Sequence, residues 1–319
     1  MKRPHFKKLR FYLRHAISST VPSFLLQQRL AAELARAAEY DPVELKGRID
    51  YYCKVNALFE LPDGATTCRK ASIRKHPSAP YLDLKQYLRY FPANLKFQCN
   101  LRDNLRNIKW LPESPTFVKC RPIGTQNTNS VLMKLNSGRF FDFQKDCMRF
   151  EEKKSVAVFR GPCYREHRQQ FVQACHKLPN TDIGDTRNTP ETALTYKPFM
   201  SIDEQLKHKF IISVEGSDVS SSLMWIMASN SLAFMTKPHF EGWFMQGKLI
   251  PDHHYVLLRV DYEDLTEKID HYTRHTEEAL NIIGNAHKHV SQFYDQPREK
   301  IISLLVVKKY FIHSGQWGT

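Results

Sequence analysis

Short apolar runs, cut off by glycine, proline or charged residues, alternate along this chain with stretches of helical periodicity. Phe210 to Val214 is an apolar run of strand length that breaks at Gly216. Three hydroxyl residues, Ser220 to Ser222, open an apolar helical stretch from Leu223 to Met227, and Ser231 to Met235 then reads as a second strand. Val156 to Phe159 and Tyr255 to Val260 repeat the strand pattern, and a helix reaching Lys177 follows the first of them. Such alternation predicts βαβ units around a parallel sheet, an α/β protein. Upstream, Leu95 to Cys99 and Phe117 to Lys119 read as strands, while Pro62 to Pro80 and Asn180 to Thr195 read as polar loops. From Asp264 a long helical segment begins, and REKIISLLVVKKYF closes the chain as an amphipathic helix.

At the N-terminus, Phe6, Leu9, Tyr12 and Leu13 fall at helical spacing among six Lys/Arg in the first fifteen positions, with no acid there. Two readings fit that pattern: a basic amphipathic helix lying on an anionic membrane surface, or the solvated face of a helix packed on the body. The segment lacks the continuous apolar core and the cleavage site of a signal peptide. No apolar run reaches the roughly 18 residues of a membrane span. The seven cysteines form no CxxC pair, which fits reduced thiols and a cytoplasmic protein. Lys and Arg exceed Asp and Glu by 47 to 33 over 319 residues, and the net charge of +14 calls for an anionic partner. Nucleic acid, anionic headgroups and a phosphorylated substrate all satisfy it.

Parallel sheets bind ligands beyond the carboxyl ends of their strands, where helix N-termini offer N–H groups suited to phosphate. Gly216 to Ser222 is therefore the first candidate for a phosphorylated ligand, with plain N-capping by the serines as the rival reading. Arg160-Gly161 ends the Val156 strand, and Arg165 and Arg168 follow on its helix, where guanidinium groups suit either phosphate or a local carboxylate. Lys119 and Arg121 are weaker anion candidates, and Asp103 follows the strand that ends at Cys99. His271 and His275 are spaced i,i+4 but lack the HExxH pattern, and no Asp-x-Asp pair occurs, so no metal site is expected.

The run EGSDVSSSLMWIMASNSLAFMTKPHFEGWFMQGKLIPDHHYV, together with PTFVKCRPI, NSVLMKLN, DLTEKIDHY, NAHKHVSQF and REKIISLLVVKKYF, closely resembles glycosyltransferase family 90. The likeness is to its bacterial lipopolysaccharide-biosynthesis branch, which is related to the Rumi-type protein O-glucosyltransferases and to fungal capsule-associated xylosyltransferases. It extends over residues 90 to 311. The resemblance implies a GT-B-like fold of two Rossmann-like domains facing across a cleft, with the nucleotide-sugar held mainly by the C-terminal one. Asn100-Leu101-Arg102-Asp103 is similar to the stretch whose Asp takes the acceptor proton in an inverting displacement, which makes Asp103 the expected catalytic base. Arg160 and Gly161 match the family's Phe-Arg-Gly motif, and Gly216, Ser217, Asp218, Val219, Ser220, Ser221 and Ser222 match the donor-binding loop. Glu241 is carried over, by the broader analogy with GT-B enzymes, as a ligand for donor hydroxyls. Two positions depart from the Rumi-type pattern, since Ser222 and Glu215 stand where those enzymes carry Arg.

The resulting expectation is an inverting glycosyltransferase, cytoplasmic and peripheral at the inner membrane. It takes a UDP-sugar as co-substrate, needs no metal or other cofactor, and transfers a hexose or pentose to a hydroxyl of lipopolysaccharide core or a related glycan. A protein hydroxyl as acceptor is the second reading. A basic nucleic-acid-binding protein is the third, and it lacks any recognised motif. Four segments are expected: a basic helical segment over 1–40, an acceptor-side domain over 41–154, a nucleotide-sugar domain over 155–290, and a helix over 291–319 that packs back.

Overall fold

The computed structural model describes residues 3–73, 78–102, 111–124, 126–135, 137–141, 143 and 145–318. Helices α1 (Arg3–Thr20), α2 (Ser23–Ala35) and α3 (Pro42–Tyr52) come first, followed by β1 (Thr66–Thr67), α4 (Cys68–Ile73) and α5 (Ala79–Leu88). Short strands β2 (Lys96–Phe97), β3 (Cys99–Asn100), β4 (Thr116–Val118), β5 (Cys120–Pro122) and β6 (Ser130–Leu132) come next. Then follow β7 (Lys154–Gly161), α6 (Glu166–Cys175), β8 (Thr181–Asp185), α7 (Ile202–Gln205), β9 (His208–Ile212), α8 (Leu223–Met227) and β10 (Leu232–Met235). The chain ends with β11 (Phe240–Gly242), β12 (Val256–Leu257), α9 (Leu265–Arg274), α10 (Thr276–Ser291) and α11 (Gln296–His313).

Two compact units result: Met1–Phe141 with Phe240–Phe244 and Asp295–Thr319, and Asp142–His239 with Met245–Tyr294. The charged run 151–154 lies inside the second unit, where it makes a 3-10 turn and the first residue of β7.

The second unit carries a five-stranded sheet in the order β12-β10-β9-β7-β8, parallel at every pairing. In chain order along the sheet this is 2-1-3-4-5, the flavodoxin-like doubly wound arrangement. The strands are apolar because both faces are covered: Ala157, Phe159, Phe210, Ile212, Leu232, Phe234 and Val256 share one core, and the alternating Val158, Ile211, Ala233 and Met235 are buried as well. Each helix supplies a matching stripe, such as Phe171, Val172 and Cys175 on α6, and Leu265, Ile269 and Tyr272 on α9. β8 corrects the expectation of a loop over Asn180 to Thr195. Thr181-Asp182-Ile183-Gly184-Asp185 offers one large apolar side chain, yet it completes the sheet edge through five paired positions with β7. Gly184 is required there, since a Cβ would come within 2.4 Å of the Lys197 side chain. The long helical segment after Asp264 is also two helices, broken at His275 (φ −104°, ψ 65°).

The first unit is rich in helices and holds a three-stranded parallel sheet, β3-β4-β6, with antiparallel pairs β1-β2 and β5-β11. α11 is capped by the Asp295 carboxylate, which accepts from the Arg298 N–H at 3.0 Å, with Pro297 in the first turn. It is not the amphipathic helix expected from the pattern. Ile301, Ile302, Leu304, Val306, Val307, Tyr310 and Phe311 are all buried, because α11 is packed against α2, α3 and α5.

Candidate functional site

The sheet of the second unit winds one way from β7 to β8 and the other way from β9 onward. Its topological switch point therefore lies between the carboxyl ends of β7 and β9, where ligands of open α/β sheets bind. Gly161-Pro162-Cys163 leaves one strand there and Ser213 to Ser222 leaves the other.

α6 begins at this point, and its first turn holds the β9 loop in place. Arg168 donates from Nε to the Glu215 carbonyl at 2.8 Å, from Nη2 to the Val214 carbonyl at 2.6 Å, and from Nη1 to the Pro162 carbonyl at 3.3 Å. His167 Nε2 also meets the Glu215 carbonyl, at 2.8 Å, and Arg165 Nε donates to the Ser217 hydroxyl at 2.9 Å. Carbonyl and hydroxyl acceptors, unlike carboxylates, do not cancel the charge of the guanidinium that donates to them. The Glu215 carboxylate accepts from the His239 N–H at 3.0 Å and lies 3.1 Å from its Nδ1.

The serines are arranged as a hydroxyl chain and not as caps. Ser213 Oγ donates to Ser220 Oγ at 2.9 Å, and Ser220 Oγ meets Ser222 Oγ at 3.0 Å. α8 spans five residues, and Ser222 at its start makes no side-chain cap hydrogen bond. The N-cap reading therefore fails, and so short a helix adds little dipole for an anion. Val219 and Asp218 are buried beneath the loop, while Ser217, Ser221 and Ser222 stay part-exposed.

Arg160 and Gly161 end β7 at the same edge, but the Arg160 guanidinium is committed elsewhere. It donates to Asp182 Oδ1 at 2.7 Å, to the Asp182 carbonyl at 2.6 Å and to the Pro198 carbonyl at 3.2 Å. Burial pushes the Asp182 carboxyl up, but hydrogen bonds from Lys197 and Arg160 outweigh it and hold it below the usual range. Asp185 behaves alike, because the Arg187 side chain bonds it side-on, the Arg187 N–H donates at 2.9 Å and the Cys163 N–H at 3.2 Å. Burial first, and then Asp185, push the Cys163 thiol up to about 12, so it is protonated and no nucleophile.

Glu241 belongs to the first unit. It is buried on β11 opposite Arg121 of β5, which donates to it from Nε at 2.7 Å, and the Tyr51 hydroxyl donates to its other oxygen. The rest of the Arg121 fork is taken by the Ser130 and Tyr51 carbonyls, at 2.9 and 2.7 Å. Burial, then Glu241, raise the Tyr51 phenol well above its ordinary value. Glu241 is thus a locked partner within its own unit. Asp103 lies outside the described residues. The strand leading to it, β3, ends at Asn100 beside a cavity of about 450 Å³ bounded by Thr66, Gln98, Asn100, Arg102 and Thr116.

His271, His275 and Glu278 have ligand atoms within 4.8 Å of one another at the α9–α10 junction. This cluster is mostly exposed and includes no residue of the β9 loop. Sequence reasoning passed over His167 at the switch point and the exposed Tyr164 ring, over which the Arg187 guanidinium sits 5.2 Å from the centroid. Their position directly after Arg160-Gly161 was the available signal.

Residues 122–298, more than half of the chain, match the sequence profile of Glycosyl transferase family 90. The chain belongs to glycosyltransferase family 90. It is a glycosyltransferase of mixed α/β structure. It is 41% identical over 309 residues to the O-glucosyltransferase LpsA of Dichelobacter nodosus, covering 95% of both chains. Protein O-glucosyltransferase 3 of Homo sapiens is 30% identical over 136 residues, 41% of this chain and 26% of that protein. The protein of the same name from Rattus norvegicus is 27% identical over 164 residues, 50% of this chain and 32% of that one. The match to the family profile spans the switch point and the loop that α6 holds. Among the described residues of this family-90 enzyme, no helix is long and apolar enough to cross a membrane.

Proposed function

We propose that this family-90 enzyme transfers a sugar, with inversion, from a UDP-sugar to a hydroxyl of lipopolysaccharide core or a related surface glycan. The observation that carries the donor half is the loop Val214–Ser222 at the switch point of the parallel sheet, held by Arg165, His167 and Arg168. A nucleoside diphosphate has the negative charge that such an edge attracts. Two guanidinium groups and a run of hydroxyls would take up the charge of the leaving diphosphate without a metal. Within this proposal Arg165 and Arg168 replace Arg160 as the principal cations. A GT-B arrangement is the architecture it assumes.

Asp103 is the proposed base, supported by its place after β3 and its match to the family's Asn-x-Arg-Asp stretch. The acceptor half is supported by the similarity to LpsA over 95% of the chain. The similarity to protein O-glucosyltransferase 3 favours one second reading, a protein hydroxyl as acceptor. Peripheral attachment at the cytoplasmic face of the inner membrane belongs to the first reading. Leu9, Leu13 and Ile17 lie exposed on α1 beside Arg10 and Arg14, a mixture suited to an anionic lipid surface.

The test is a thermal-shift series with nucleoside diphosphates and nucleotide-sugars, since a ligand of the native state raises the melting temperature by mass action. A selective shift with UDP or a UDP-sugar is expected. Asp103→Asn should keep that shift and lose about 10²- to 10⁴-fold in transfer rate, the range for a positioned general base. Full transfer by Asp103→Asn, or no shift with any nucleotide, would overturn the proposal. Transfer to a folded protein in preference to a lipopolysaccharide acceptor would select the second reading.

A further inference from the structure

A cavity of about 450 Å³ in the first unit is lined by Arg14, Arg36, Lys134, Lys300 and His15, and no carboxylate lines it among the described residues. That volume accommodates a small ligand of sugar size. The acids that pair with these cations are not among the lining residues. Glu33 lies 2.5 Å from Lys300 and 3.9 Å from Arg36, and Glu39 lies 3.0 Å from Arg36. Glu299 serves Lys134 at 3.4 Å and Arg48 at 2.5 Å, while Asp83 faces His15 at 3.0 Å.

Arg14 is exposed and makes no hydrogen bond or ion pair among the described residues. Four fixed cations, Arg14, Arg36, Lys134 and Lys300, thus line the cavity, and of these Arg14 has no carboxylate partner among the described residues. Lys134 registers the crowding: burial lowers its ammonium pKa, Glu299 works against this, and the charges of Arg48 and Arg14 lower it further. An anion in the cavity would relieve that repulsion. Ser18, Gln86 and Ser137 add uncharged polar groups to the lining, as a ligand carrying sugar hydroxyls requires.

We infer that this cavity is a binding site for a phosphate group carried on a sugar-sized body. Guanidinium and ammonium groups converging from several directions match a tetrahedral oxyanion better than a flat carboxylate. The phosphate could belong to a soluble phosphorylated sugar or to a phospholipid headgroup. The site is separate from the β9 loop, so this inference stands or falls independently of the nucleotide-sugar reading.

The experiment measures binding by the full chain of two probes. One is glucose 1-phosphate, with glucose as the uncharged control. The other is vesicles of 30% phosphatidylglycerol in phosphatidylcholine, against phosphatidylcholine alone, about the anionic fraction used to detect polybasic contacts. Arg14→Glu reverses a charge at the cavity, and Arg29→Glu makes the same change on the exposed face of α2. Arg14→Glu is expected to weaken at least one probe about tenfold or more, while Arg29→Glu leaves it within about twofold, tenfold corresponding to 1.4 kcal/mol. Loss with the soluble probe assigns the site to phosphorylated sugars. Loss with vesicles alone assigns it to a headgroup. Equal weakening by both variants would reduce the effect to overall surface charge and overturn the inference, as would a failure of both probes to bind the wild-type chain. An unchanged melting temperature in Arg14→Glu separates loss of the site from loss of the fold.

Discussion

Arg165 and Arg168 stand within one turn of α6 and spend their hydrogens on a hydroxyl and on backbone carbonyls. Arg14, Arg36, Lys134 and Lys300 come from four distant segments and line a cavity, three of them also pairing with Glu33, Glu39 or Glu299. Both clusters are basic, but they do different things. The first shapes a loop beyond a parallel sheet, and the second surrounds a volume that fits a ligand. A third set, Arg121 with Glu241 and Arg160 with Asp182, is locked to carboxylates and holds strands together. The role of a cation is therefore set by what accepts its protons, which residue type alone does not reveal.

The locked set should show the largest effect on stability. Glu241→Ala leaves the Arg121 guanidinium buried without its carboxylate, and breaking a buried pair in this way costs about 3–5 kcal/mol. Denaturant unfolding reads that loss. If Glu241→Ala instead unfolds normally and raises the donor KM, Glu241 belongs with the donor and the division fails.

Arg168→Ala removes donors to three carbonyls around a part-exposed side chain, where water replaces much of what is lost, so about 1.5–3 kcal/mol in all is expected. The expected outcome is a smaller stability loss than for Glu241→Ala, with the nucleotide-induced thermal shift largely abolished. Retention of the full shift would mean that the loop keeps its shape without this clamp. Arg160→Met should leave the nucleotide shift in place, because its guanidinium already serves Asp182.

The smallest expected effect is on acid stability. The Asp185 carboxyl is held below the ordinary value by Arg187 and the Cys163 N–H, against the opposing pull of burial. A carboxyl with a depressed folded pKa stabilises the protein fully above the unfolded value of about 3.9, and that contribution is lost as pH falls through the lower folded value. Asp185→Asn should therefore lower the melting temperature at pH 7 by about 2–4 °C, the shift that 1 kcal/mol makes in a domain of this size. The difference from wild type should shrink below pH 4, near the unfolded carboxyl value. A difference that does not change with pH would assign Asp185 a packing role only.

How far the sequence revealed this molecule follows from what each element depends on. β7, β9 and β10 are visible because a strand buried on both faces must be apolar throughout, and Phe210 to Ile212 and Leu232 to Met235 satisfy that. β8 is invisible because an edge strand can be polar, and Ile183 alone carries its burial signal. The amphipathic reading of α11 failed since Ser303 and Glu299 look solvent-facing in sequence, yet both are buried in the first unit. The loop after β9 stood out as a candidate because glycine and serines after an apolar strand mark the edge where ligands of parallel sheets bind. The commitment of Arg160 to Asp182 was not, because it is made across 22 residues between neighbouring strands. The phosphate cavity was least legible of all. Its cations lie up to 286 positions apart, from Arg14 to Lys300, and only the fold brings them together.

The membership of Phe240–Phe244 and α11 in the first unit has a consequence for synthesis at the ribosome. Trp243 stacks on Tyr52 at 3.8 Å and 7°, and its indole N–H donates to Glu299 at 2.6 Å, so three remote stretches meet in one core. Everything the second unit needs has been translated by Tyr294, whereas the first unit, though begun earlier, lacks α11 until Gln296–His313 emerge. The part made first is thus the part finished last. A nascent chain stalled near Tyr294 would carry a complete sheet preceded by an unfinished helical unit with its apolar surface exposed, the kind of species that chaperones engage.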